Sequence, residues 1–137
     1  MKKLLSIMVS AILLGSPAFA DGHGNVKIGV LLGFTGPIES LTQDMGAGAE
    51  LAMEEVSATK SFLGGKKVEA IRADSTCIDS AAAVAAAERL ITSDKVAAIM
   101  GADCSGVTTS VLQNVAMPNG IVMISPSATS PAFTDMS

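Results

Sequence analysis

From residue 26 to 124 the chain alternates short apolar runs with longer stretches whose apolar positions recur every three or four residues. Val26–Leu32 (Val-Lys-Ile-Gly-Val-Leu-Leu) is nearly continuous and predicts a buried parallel strand. Gly33-Phe34-Thr35-Gly36-Pro37 breaks it. A helix is predicted from about Asp44 to Ser57, with Met45, Ala49, Ala52, Met53 and Val56 on one face and Glu50, Glu54 and Glu55 off it. Ala58–Lys67 reads as a turn region. Val68–Ala73 (Val-Glu-Ala-Ile-Arg-Ala) alternates more and predicts a second strand nearer the sheet edge. Asp79 is placed to cap a helix over Ser80–Ser93, whose buried stripe is Ala83, Val84, Ala87, Leu90 and Ile91. A third strand, Val96–Met100, leads into a helix from about Ser105 to Met117 with Val107, Val111, Leu112 and Val115 inward. Pro118-Asn119-Gly120 stops that helix. Strand Ile121–Ile124 and loop Ser125–Pro131 follow, and the last residues predict the start of a fourth helix.

The order β-α-β-α-β-α-β, with connections long enough for crossovers, predicts an α/β fold. It is a doubly wound parallel sheet with helices on both faces. A strand order of 2-1-3-4 puts strands 1 and 3 side by side at the switch point. A crevice is then expected between loops Gly33–Gln43 and Gly101–Ser105, with loop Ser125–Thr129 beside it.

The ends and the charge set the compartment. Lys2 and Lys3, the apolar run Leu4–Leu14 and the close Ser16-Pro17-Ala18-Phe19-Ala20 have the layout of a secretory signal peptide, residues 1–20, cleaved after Ala20. The apolar run is about eleven residues, against roughly twenty for a membrane span. Without residues 1–20, seven basic residues face thirteen acidic ones, a net charge of −6. That argues against nucleic acid and anionic membrane surfaces as partners, and no direct membrane insertion is expected after cleavage. Cys77 and Cys104 form an even pair in an exported chain, which reads as one disulfide or, alternatively, as two buried thiols. His23, the only histidine, lies in the Gly-flanked stretch after Ala20, so no metal site is expected.

The loops after strands 3 and 4 carry the candidate chemistry. Both are rich in small and hydroxyl residues: Gly101-Ala102-Asp103-Cys104-Ser105-Gly106 and Ser125-Pro126-Ser127-Ala128-Thr129-Ser130-Pro131. The Ser105 hydroxyl and nearby N–H groups suit a carboxylate, although Ser105 as a plain helix cap fits the local sequence equally. Thr129 and the Ser127 carbonyl could take the ammonium of a zwitterion, or form only a polar turn. A Cys104 nucleophile has no histidine outside the N-terminal stretch to act as its base, and no Walker or dinucleotide glycine spacing occurs. The expectation is a binding protein, not an enzyme, with no cofactor.

Several segments in order resemble a known family. They are Lys27-Ile28-Gly29-Val30, Thr35-Gly36-Pro37, Gly46–Ala52, Asp74-Ser75-Thr76-Cys77, Ala98–Gly101, Cys104-Ser105 and Ile124–Pro131. Together they resemble the start of the leucine/isoleucine/valine-binding family of periplasmic substrate-binding proteins of ABC importers. The resemblance implies a type I periplasmic-binding fold of two hinged lobes, a small amino-acid ligand of branched-chain type and a membrane permease as partner. It implies that Ser105 and Thr129 bind the ligand's carboxylate and ammonium, that Ser127-Ala128 assists through backbone, and that Leu41 lines the side-chain pocket. Many relatives have an aromatic residue where Leu41 stands. It also implies a Cys77–Cys104 disulfide. On this reading residues 21–137 are an incomplete first lobe, an N-terminal fragment without the second lobe and hinge. A ligand-sensing domain or an amide- or urea-type binder of the same fold is the alternative.

Overall fold

The computed structural model describes residues 24–135. The expected signal peptide and His23 lie outside the described residues. Four strands form one sheet: β1 (Val26–Leu32), β2 (Val68–Asp74), β3 (Ala98–Gly101) and β4 (Val122–Ile124). Their order is β2-β1-β3-β4 and every neighbouring pair is parallel, with Val26 opposite Val68, Ile28 opposite Ala98 and Ala98 opposite Val122. This is the predicted doubly wound order, and β2 is an edge strand as its alternating pattern requires.

Right-handed crossovers send the first helix to one face and the next two to the other. Helix α2 (Ser80–Thr92) begins at Asp79, whose carboxylate accepts the Ala81 and Ala82 amides at 2.9 and 3.0 Å. Its Ala83, Ala87 and Leu90 are fully buried. Helix α3 (Ser105–Val111) packs beside it, and Leu31, Ile99, Val107, Val111 and Val115 close the core between these helices and the sheet.

Two helices differ from their predicted forms. Helix α1 spans Glu39–Ala58, five residues earlier than expected, because it starts directly after the Gly36-Pro37 turn. Its buried residues are Thr42 and Gly46, while Ala52 and Val56 of the predicted stripe are exposed. The reason is close approach to β1 and β2. A Cβ at residue 46 would lie 2.9 Å from Cε1 of Phe34 and 3.2 Å from Cζ of Arg72. Thr42 is satisfied by donating to the Gly33 carbonyl at 2.8 Å. The Arg72 guanidinium stacks on Phe34, 4.7 Å from the ring centre, and pairs with Glu50 at 2.5 Å. That hydrogen-bonded pair lowers the Glu50 pKa and raises that of Arg72.

Helix α3 runs on through a wide π turn, Leu112–Ala116, and a last turn Met117–Asn119. Pro118 has no N–H for the carbonyl four residues back, and a widened turn accommodates that loss. The predicted fourth helix is a short 3₁₀ turn, Pro131–Asp135. On the α1 side of the sheet, Val122 and Ile124 are 63% and 69% exposed.

Candidate functional site

All four strands are parallel, so their following loops gather at one edge of the sheet. These are residues 33–38 after β1, 75–79 after β2, 102–104 after β3 and 125–130 after β4. None of them contains Lys or Arg. Within these loops the groups that can meet an anion are hydroxyls and backbone N–H groups.

Asp103 lies at the centre and is only 2% exposed. Its Oδ2 accepts the Gly33 amide at 2.7 Å. Its Oδ1 accepts the Ser75 hydroxyl at 3.2 Å and the Cys104 amide at 2.9 Å. Its backbone carbonyl accepts the Ser127 hydroxyl at 2.9 Å. Asp103 therefore bridges the β1 and β3 loops at the base of the expected switch-point crevice.

The β2 loop is tied in twice. A disulfide joins Cys77 to Cys104, 27 residues apart, at the start of α3. Asp74 accepts the Thr35 hydroxyl at 2.5 Å and the Thr76 amide at 2.8 Å. Thr76 and Cys77 both have left-handed backbones, φ 57 and 71. Such conformations are strained for non-glycine residues and persist where surrounding bonds hold them. The disulfide occupies the Cys104 sulfur, so it offers no thiolate nucleophile.

Ser105 is the first residue of α3, and the cap position belongs to Cys104, which makes no side-chain cap bond. The Ser105 Oγ instead accepts the amides of Thr129 and Ser130 at 3.1 and 3.2 Å. This separates it from the next hydroxyls of the helix. Thr108, Thr109 and Ser110 all donate back to carbonyls four residues earlier. Ser105 accepts two bonds, and its own proton stays available to a group outside the helix.

The β4 loop is shaped by Ser125. Its hydroxyl donates to the Ala102 carbonyl and accepts the Ala128 amide at 2.8 Å and the Ser127 amide at 3.3 Å. Ser105, Ser127, Ala128 and Thr129 are thus brought together around the start of α3. Leu41 is not part of this hydrogen-bonded group. It stands on the first turn of α1 at the same sheet edge, 62% exposed. Behind the β4 loop a cavity of about 280 Å³ is lined by Thr108, Leu112, Met123, Ala128 and Phe133 among others.

Sequence reasoning missed Asp103, Asp74 and Ser125 as organisers of these loops. The available signal was an acid flanked by small residues directly after an apolar strand, in Met100-Gly101-Ala102-Asp103-Cys104. Among the described residues, no three His, Cys, Asp or Glu side chains group as metal ligands.

Comparison with known proteins gives one family. The profile of the family described as periplasmic binding protein matches residues 25–136. Leu/Ile/Val-binding protein homolog 7 of Brucella melitensis is 38% identical over 106 residues, covering 77% of this chain and 25% of that protein. The amino acid binding protein of Pseudomonas aeruginosa is 34% identical over 135 residues, covering 98% of this chain and 34% of that protein. Among solved structures, the branched-chain amino acid transporter substrate binding protein LivJ of Streptococcus pneumoniae, in complex with isoleucine, aligns with a TM-score of 0.72. It is 32% identical and covers 80% of this chain and 31% of that one. The chain spans about a quarter to a third of the length of the curated relatives it matches. With its 2-1-3-4 parallel sheet, its loop cluster and a profile match across residues 25–136, the chain belongs to the periplasmic binding protein family.

Proposed function

We propose that this chain is the ligand-gripping lobe of an exported substrate-binding protein that delivers branched-chain amino acids to the permease of an ABC importer. In this reading it works in the periplasm after cleavage behind Ala20, as a binding module with no chemistry of its own. The observation that carries it is the state of Ser105. Its oxygen is saturated by the Thr129 and Ser130 amides, which fixes the hydroxyl and leaves its proton to donate.

A ligand carboxylate seated there accepts a hydrogen bond from the Ser105 hydroxyl, and the exposed Thr129 hydroxyl is assigned to the ammonium. Hydrogen bonds to a charged group contribute about 1.5–3 kcal/mol each, enough to hold a carboxylate without an arginine. The ammonium of the same ligand is assigned to the Ser127 carbonyl, with Ala128 as the small residue between the two contacts. Leu41, across the same edge, is assigned to the aliphatic side chain. The names of the relatives and the isoleucine bound to the pneumococcal protein support an amino acid of this type.

The test is a titration of residues 21–137 with L-leucine, followed by amide chemical shifts. Shifts confined to residues 104–106 and 127–130, and lost in Ser105→Ala, are expected. A response in Ser105→Ala equal to that of the parent chain would contradict the assignment.

A further inference from the structure

Ser105 can present its proton to a ligand only if the β3 and β4 loops keep their relative placement. Ser105 and Ser127 tie these two loops to each other, but neither reaches the β1 and β2 loops beneath them. Asp103 touches all four loops at the sheet edge: Gly33 after β1, Ser75 after β2, Cys104 in its own loop and, through its carbonyl, Ser127 after β4. We propose that Asp103 is the positioning residue of the ligand site, a buried clasp that acts through Cys104 and Ser127 to set the Ser105–Thr129 geometry. This inference rests on the function proposed above.

The chemistry of the side chain supports a dedicated role. A carboxylate is an acceptor only, and here it receives three donors, two of them backbone amides. No neutral side chain of the same shape can do this. An Asn at 103 would turn an NH2 group toward the Gly33 amide or the Cys104 amide in either orientation, leaving one buried donor without a partner. The space is equally fixed. A Cβ at residue 33 would lie 3.2 Å from Asp103 Oδ2 and 3.2 Å from the Cys77 Cβ, so the β1 loop fits closely against carboxylate and disulfide alike. The negative charge sits at the start of α3, beside the place proposed for the ligand carboxylate. Its three donors occupy both oxygens, which keeps them from competing for a hydrogen bond from Ser105.

A merely stabilising residue and a positioning residue differ in where protection is lost. Backbone hydrogen exchange should be compared in residues 21–137, in Asp103→Asn and in Ala87→Gly, a buried change in α2 far from the loops. The proposal expects the Gly33, Thr129 and Ser130 amides to exchange at least about tenfold faster in Asp103→Asn than in Ala87→Gly, once each is referred to its own core amides. Ser75→Ala, which removes one donor and keeps the carboxylate, should give the same pattern at smaller amplitude, and it serves if Asp103→Asn does not fold. Uniform acceleration across the chain in both loop variants would overturn the clasp. The leucine titration separates the two claims. If neither Ser105→Ala nor Asp103→Asn alters the leucine response while exchange is accelerated only at the loops, the ligand reading fails and the clasp stands.

Discussion

Gly101 has φ +137, and a Cβ there would lie 2.0 Å from the Leu31 carbonyl oxygen. No L-residue fits without moving β1 or β3. Gly101→Ala should therefore destabilise the chain by about 2–6 kcal/mol, the sum of backbone strain and overpacking. A urea titration monitored by circular dichroism reads this directly, and an unchanged midpoint would refute the geometry. The sequence reading ended this strand at Met100, and β3 runs one residue further, to Gly101 opposite Leu31. The work of Asp103 was not legible in the sequence. Its partners, Gly33 and Ser75, are 70 and 28 residues away, and only the parallel sheet brings them within 3.2 Å. Ser105 shows the same limit. Local sequence left a plain cap and a ligand contact equally open for it, while the fold gives the cap to Cys104 and turns Ser105 toward Thr129 and Ser130.

At the scale of elements, hydrophobic spacing was most reliable where apolar residues made the contact. The predicted stripe of α2 is buried at Ala83, Ala87 and Leu90, and its predicted Asp79 cap is in place. It was least reliable for α1, where Thr42 and Gly46 form the buried face. A hydroxyl that bonds a carbonyl and a glycine that admits a ring carry no hydrophobic signal. The π turn in α3 was hidden similarly, because periodicity locates a face and not the pitch of a turn. One element-level link has a large measurable effect. The Cys77–Cys104 bridge closes a loop with a sequence separation of 27 and ties the β2 loop to the start of α3. Chain-entropy estimates for such a loop give about 3–4 kcal/mol. Reduction with dithiothreitol should lower the urea midpoint by a matching amount and broaden the Ser105 and Thr129 amide signals. Reduction without loss of stability would show that the bridge only records proximity.

At the scale of the whole molecule, the sheet is well covered on the α2–α3 side and open over β3 and β4 on the other. Val122 and Ile124 present apolar side chains to solvent on an edge strand. Exposed apolar edges promote self-association. Ile124→Lys should therefore reduce the apparent mass of residues 21–137 at high concentration, read by sedimentation velocity, with little change in the circular dichroism spectrum. Equal self-association in both chains would place the sticky surface elsewhere. The strand order, the helices on both faces and the family were all legible from the order of motifs along the chain. The interlocking of the four loops was not, since it depends on contacts between segments the sequence keeps far apart.

The proposed role of the Ser105–Thr129 loops is to hold a ligand by its carboxylate. Three probes of one shape test it on residues 21–137: L-leucine, L-leucinamide without the carboxylate charge, and 4-methylpentanoate without the ammonium. The readout is the shift of the Ser105, Thr129 and Ser130 amides on titration. The strongest response is expected with L-leucine, a weaker one with 4-methylpentanoate and the largest loss with L-leucinamide. A response to L-leucinamide as strong as that to L-leucine would contradict it.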